Sequence, residues 1–78
     1  MTDIVLLEEK IQQSGKKKGY LAAKLGMTLA TFRSYCTNKY EFRASHIDIL
    51  CEELYIYTLE ERHAVFFANR DAYKASKI

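Results

Sequence analysis

Apolar residues recur at helical spacing in five places along the chain. Ile4, Leu7 and Ile11, with Leu6 alongside, lie three and four apart, and Asp3 in front of them can cap the run. Gly15 is a natural left-handed stop, so a first helix is predicted over about 4–13. A second, short helix from Lys17 or Lys18 to Leu25 turns Leu21, Ala22 and Leu25 inward. Gly19 falls in its first turn, where the roughly 1 kcal/mol that glycine costs relative to alanine matters least. A third helix runs from Thr28, a suitable N-cap, to about Thr37, with Phe32, Tyr35 and Cys36 inward and Asn38 as a left-handed C-cap. Ile47, Leu50, Cys51 and Leu54 form the cleanest stripe, in a fourth helix expected to open at Ser45, with Asp48 three residues on completing a box-like cap. Thr58 and Glu61 repeat that signature ahead of a fifth helix carrying Leu59, Val65, Phe66 and Phe67. Tyr55, Ile56 and Tyr57 are β-rich, but no Gly or Pro turn returns them as a hairpin, so they are assigned to a loop.

The pattern describes an all-α chain: a single domain over 1–78, with its core at about 3–70 and a frayed tail at 71–78. Composition agrees, since 49% hydrophobic and 28% charged residues with no proline suit packed helices rather than disorder or a Pro/Gly-rich β architecture. The longest apolar runs, IVLL and AVFFA, are too short to cross a bilayer, and Asp3, Glu8 and Glu9 do not fit a signal peptide. The expectation is a cytoplasmic protein with no membrane association. Cys36 and Cys51, within apolar helical patterns, are expected to be reduced core residues.

Charge is unevenly spread. Between Lys10 and Arg43 eight basic residues face the single acid Glu41, while elsewhere four basic residues face nine acids. The basic part calls for an anionic partner.

The segment GYLAAKLGMTLATFRSYC then takes on a definite form. If Gly26 ends the second helix in a left-handed turn, the chain reverses within a few residues and lays the third helix steeply across the second. Ala22 permits the close approach, and Met27, Phe32 and Tyr35 fill the wedge. An alanine, a glycine four residues later, an apolar neighbour, and further apolar residues six and nine after the glycine are here Ala22, Gly26, Met27, Phe32 and Tyr35. This spacing resembles the helix-turn-helix of lambda repressor-like and small phage Cro-like regulators, the xenobiotic-response-element class. The flanking KYEFRASHIDIL and the final VFFA extend the resemblance over about residues 3–68.

The resemblance implies a five-helix lambda repressor-like fold with the helix-turn-helix at helices two and three, the third helix in the major groove and the start of the second at the phosphate backbone. Base-facing positions carried over are Thr28, Leu29, Ala30, Arg33 and Ser34. The apolar stripe of the third helix independently leaves these outside. Arg33 is the strongest reader, because its guanidinium fork matches guanine O6 and N7. Leu29 and Ala30 depart from the usual polar pattern: Leu29 fits the edge of the core as well as a DNA contact, and Ala30 reads as a good helix former. Phosphate contacts are expected from Lys16, Lys17 and Lys18, where helix-end amides also favour an anion, with Thr31, Thr37, Asn38, Lys39 and Arg43 (beside Tyr40) further along. The lysine triplet also has a plain reading as a solvated loop.

Scattered tyrosines at 20, 40, 55, 57 and 73 are assigned to covering the core rather than to base stacking. His46 and His63, 17 apart and without ligand-spaced partners, suggest no metal, and no nucleophile motif, phosphate-cradling glycine loop or coherent acid pair suggests an enzyme or a cofactor. The expected function is that of a sequence-specific double-stranded DNA-binding transcriptional regulator, phage or prophage-derived, acting on its operator as a homodimer. Val65, Phe66 and Phe67 supply the candidate dimer contact, because all three cannot point into one small core; the opposing reading packs both phenylalanines within the monomer. The rival expectation is a helix-turn-helix protein-interaction module, an antirepressor or modulator of another phage repressor, with Leu29 and Ala30 at an apolar contact. A third is a nonspecific nucleic-acid binder that uses only its lysines.

Overall fold

Three helix starts are closed by the side chain in front of them. The Asp3 carboxylate accepts from the Leu6 amide at 3.0 Å, Thr28 Oγ1 from Thr31 at 3.2 Å, and Thr58 Oγ1 from Glu61 at 3.1 Å. In the computed structural model, which describes residues 1–68, these caps open three of five helices: α1 (Ile4–Ser14), α2 (Lys18–Lys24), α3 (Leu29–Cys36), α4 (Ala44–Glu53) and α5 (Leu59–Phe66). No strand occurs among the described residues, and none of their helices is long and apolar enough to cross a membrane. The all-α expectation is met; the expected fraying of 71–78 lies outside the described residues.

Three helix ends share a left-handed residue and the long hydrogen bond that spans it. After α2, Gly26 adopts φ 72°, its amide donating to Ala23 O at 3.0 Å while the Met27 amide reaches Ala22 O at 3.0 Å. After α3, Asn38 at φ 64° donates to Tyr35 O and Lys39 to Ser34 O. After α4, Tyr55 stands at φ 60° and the Ile56 amide reaches Cys51 O at 2.8 Å. Each is a Schellman-type stop with the left-handed residue just past the cap. At Gly26 a methyl group would meet no atom within 4 Å, so glycine is favoured there by backbone conformation and not by space.

The core gathers the stripe residues of every helix. Leu7, Leu21, Phe32, Leu50 and Val65 are its largest fully buried side chains, and α2 packs on α3 and α4 while α1 packs on α5. Two loop residues complete it: Phe42, tilted against Phe32 and edge-on to Phe66, and Ile56.

The fourth helix departs from its expected start. It begins at Ala44 rather than Ser45, with Arg43 as N-cap and the Arg43 amide donating to His46 Nδ1 at 3.3 Å, so Ser45 and Asp48 form no cap. Burial of Phe42 draws the chain into the core just before this point, and the helix starts as soon as it emerges.

Residues 1–3 act as a strap across the two ends of the fold. The Thr2 amide donates to Asn38 Oδ1 at 3.0 Å and Asn38 Nδ2 donates to Thr2 O at 2.9 Å, while the Asp3 amide donates to Val65 O at 2.7 Å. Thr2 is 4% exposed.

Candidate nucleic-acid interface

The Gly26 stop holds α3 against α2 with one face of α3 buried and the other open. Phe32 and Cys36 are buried, whereas Thr28, Leu29, Ala30, Thr31, Arg33 and Thr37 are exposed and Ser34 is half-buried. Every base-facing position expected from the sequence therefore lies on the outer side of α3, and Leu29, 36% exposed, is not a core residue.

The chemistry of that face is sparser than its residue types suggest. Thr28 Oγ1 donates to Thr31 Oγ1 at 3.0 Å, Ser34 Oγ to Ala30 O at 3.3 Å, and Thr37 Oγ1 to Ser34 O at 3.1 Å. These bonds commit the hydroxyl protons of Thr28, Ser34 and Thr37, while Thr31 Oγ1 accepts and donates to no group among the described residues. Arg33 is the one cationic side chain on α3, and it is exposed.

Ion pairs redraw the basic region. Lys18 reaches back to Glu8 on α1 at 2.7 Å, Lys10 pairs with Glu61 on α5, and Lys16 lies 2.8 Å from both the Glu53 carboxylate and the Glu53 carbonyl at the end of α4. Lys17, Lys24, Arg33, Lys39 and Arg43 have no acidic partner within 4 Å among the described residues.

Four residues expected at contacts have partners or burial within the fold. Lys16 points at the α4 terminus, where the Glu53 carbonyl and carboxylate both hold its ammonium. Asn38 turns to the strap, where its side-chain amide accepts one hydrogen bond from Thr2 and donates one back. Val65 and Phe66 are buried, leaving Phe67, 51% exposed beside His63, as the only outward member of the proposed pairing patch. Comparison with family models, with curated proteins and with solved structures gives no match.

Tyr20, Tyr55 and Tyr57, expected to cover the core, are instead exposed and cluster beside α2. Lys16 lies 5.9 Å from the Tyr20 ring centroid and 4.9 Å from that of Tyr55, and Tyr55 meets Tyr57 edge-on at 6.5 Å. No linear signal joins positions 16, 20 and 55; only the packing of α2 on α4 does so.

The Lys16–Glu53 pair also gives the fold a pH dependence. The hydrogen bond from Lys16 holds the Glu53 carboxyl below its ordinary 4.5, and the same bond raises Lys16 above 10.5. A depressed carboxyl stabilises the fold above its ordinary value, and that stabilisation disappears as pH falls through the lowered one; the raised ammonium loses its share only at strongly alkaline pH. Lys16→Met is therefore expected to make urea stability less steep with pH below about 4.5, while the Lys10–Glu61 pair, whose carboxyl is likewise lowered, preserves part of the slope. An unchanged acid limb in the variant would remove the pair from this account. Burial pushes the Cys36 thiol up to about 11, and both cysteines are free and buried.

Proposed function

We propose that the chain is a sequence-specific double-stranded DNA-binding transcriptional regulator of the Cro or lambda repressor type, phage or prophage-derived and cytoplasmic, which places α3 in the major groove of an operator and occupies it as a dimer. The observation that carries this reading is the division of α3: a buried side locked by Phe32 and Cys36 against the rest of the core, and an exposed side bearing Arg33 next to a left-handed Gly26 turn. The helix-turn-helix of the reading is the α2–Gly26–α3 unit. Arg33 reads bases, Lys17, Lys39 and Arg43 meet phosphates, and Thr28, Leu29 and Ala30 line the groove. No catalytic step, metal or cofactor enters it.

Binding to DNA from beside the protein's own gene, measured across a salt series, tests it. Arg33→Ala is expected to flatten the preference for one site by about 1–3 kcal/mol. Lys17→Ala is expected to weaken all sites alike and to reduce the salt slope by about one. Absence of DNA binding at moderate salt would sink the reading.

One observation favours a second reading, a helix-turn-helix module that captures another regulator. The outer face of α3 carries Leu29 and Ala30 exposed beside Thr28 and Ser34, whose hydroxyl protons are already committed, which suits an apolar protein contact. On that reading Leu29→Asp abolishes partner capture, and Arg33→Ala leaves DNA preference where it was.

A further inference from the structure

Lys17, Tyr20 and Lys24 follow one another at spacings of three and four, on one face of α2, and all three are exposed. Beside that face cations and rings alternate. The Lys24 ammonium lies 5.5 Å from the Tyr20 ring centroid, and that of Lys16 lies 5.9 Å from Tyr20 and 4.9 Å from Tyr55, which Tyr57 meets edge-on. Tyr20, Tyr55 and Tyr57 are 46, 56 and 75% exposed, so each ring of this tyrosine array keeps much of its surface in water.

Three properties select what would cover it. The first is charge: Lys16 is held by Glu53, but Lys17 and Lys24 have no acidic partner within 4 Å among the described residues, so free cations flank the rings and suit an anion. The second is shape. No pocket opens among the described residues, so the array can cover flat groups but cannot enclose the anchoring side chain of a protein partner. The third is orientation: the Tyr55 and Tyr57 planes lie 68° apart, whereas the bases of a duplex are paired and stacked in parallel. Only a chain whose bases turn independently lays one on each ring, and an anionic chain with splayed planar bases is a single-stranded nucleic acid.

The exposed residues of α3 offer the opposite chemistry. They include Arg33 and hydroxyls but no ring, which suits the edges of paired bases and not their faces. Tyr55, moreover, holds its ring outward from a left-handed backbone at φ 60°, a conformation that glycine adopts more readily.

We propose that the Tyr20–Tyr55–Tyr57 array binds single-stranded DNA, with bases stacked on its rings and phosphates at Lys17 and Lys24. The choice of DNA rests on the duplex-binding reading above, and the stacking does not. Lys17 belongs to both surfaces, so duplex and single strand compete for it.

The test titrates labelled oligothymidylate of about 12 nucleotides with the full chain, following anisotropy and tyrosine emission. Binding at low salt is expected, with emission quenched as bases meet the rings. Tyr57→Ser, at the most exposed ring, should weaken binding about 5- to 150-fold, and Tyr57→Phe should restore it. Lys24→Ala should shallow the salt slope by about 0.7. Arg33→Ala should leave oligothymidylate affinity within about twofold, since α3 presents a separate surface. That separates the two readings: Tyr57-dependent binding of the single strand without any duplex binding would sink the α3 reading alone, and duplex binding without it would sink the array alone. Binding unchanged in Tyr57→Ser would also overturn the proposal. So would tighter binding of oligouridylate or tighter, Tyr57-dependent binding of an aspartate-rich peptide, which would give the array to RNA or to a protein segment.

Discussion

Phe32→Ala is expected to lower the unfolding free energy by about 3–5 kcal/mol. Phe32 is fully buried at the middle of α3, its ring tilted against Phe42 at 6.2 Å between centroids, and truncation removes the side chain that fixes α3 on the core. A domain of 78 residues has roughly 4–12 kcal/mol in total at about 0.05–0.15 kcal/mol per residue, so this one change removes a large share of its stability. Phe67→Ala provides the contrast, because half of that ring is already in water and its loss should stay within about 0.5 kcal/mol. Urea unfolding of the two variants decides the matter; equal costs would mean that α5 is packed differently from the arrangement described.

The second large effect is expected at Asn38. Its side chain exchanges two hydrogen bonds with the Thr2 backbone, and its own backbone sits at φ 64°. Asn38→Ala removes both bonds, leaving two backbone groups of a buried residue without partners at about 1–3 kcal/mol each before water compensates, and adds about 1 kcal/mol of left-handed strain. A net loss of about 2–4 kcal/mol follows. Asn38→Gly keeps the hydrogen-bond loss but is free of the strain, so it should recover about 1 kcal/mol relative to alanine. Faster exchange of the Thr2 amide in both variants would locate the effect in the strap, and two variants indistinguishable from the parent would disprove it.

The helix frame was legible because its signals are local. Asp3, Thr28 and Thr58 each bind an amide three residues ahead, and Gly15, Gly26 and Asn38 each take the left-handed conformation their side chains tolerate best. The outer face of α3 was legible for a related reason: burying Phe32 and Cys36, with Tyr35 packed beside them, leaves Leu29, Ala30 and Arg33 outside. Distant neighbours were not legible. Lys16 belongs to a run of three lysines, yet one is turned to α4, one to α1, and among the described residues only Lys17 has no acidic partner, a sorting imposed by how the helices pack. Phe42 sits in NKYEFRA, a segment that reads as an aromatic-basic loop, and its burial both fills the core and moves the start of α4. Val65, Phe66 and Phe67 formed a single apolar run, and the turn angle of α5 divides it into two buried side chains and one exposed.

The three Schellman ends differ in one respect that bears on how the molecule breathes. The long bond across the stop is present at all three, and the second bond, from the left-handed residue's own amide, only after α2 and α3, while that residue changes from glycine after α2 to asparagine after α3 to tyrosine after α4. Intrinsic strain rises along that series, and only the asparagine is tethered by its own side chain to a distant segment. The seam between α4 and α5 is thus the one where transient opening should begin, with amides around Ile56 exchanging sooner than those around Met27. Opening there would loosen the tyrosine array while leaving the α2–α3 pair closed, so the two surfaces of this small domain can fluctuate on separate clocks.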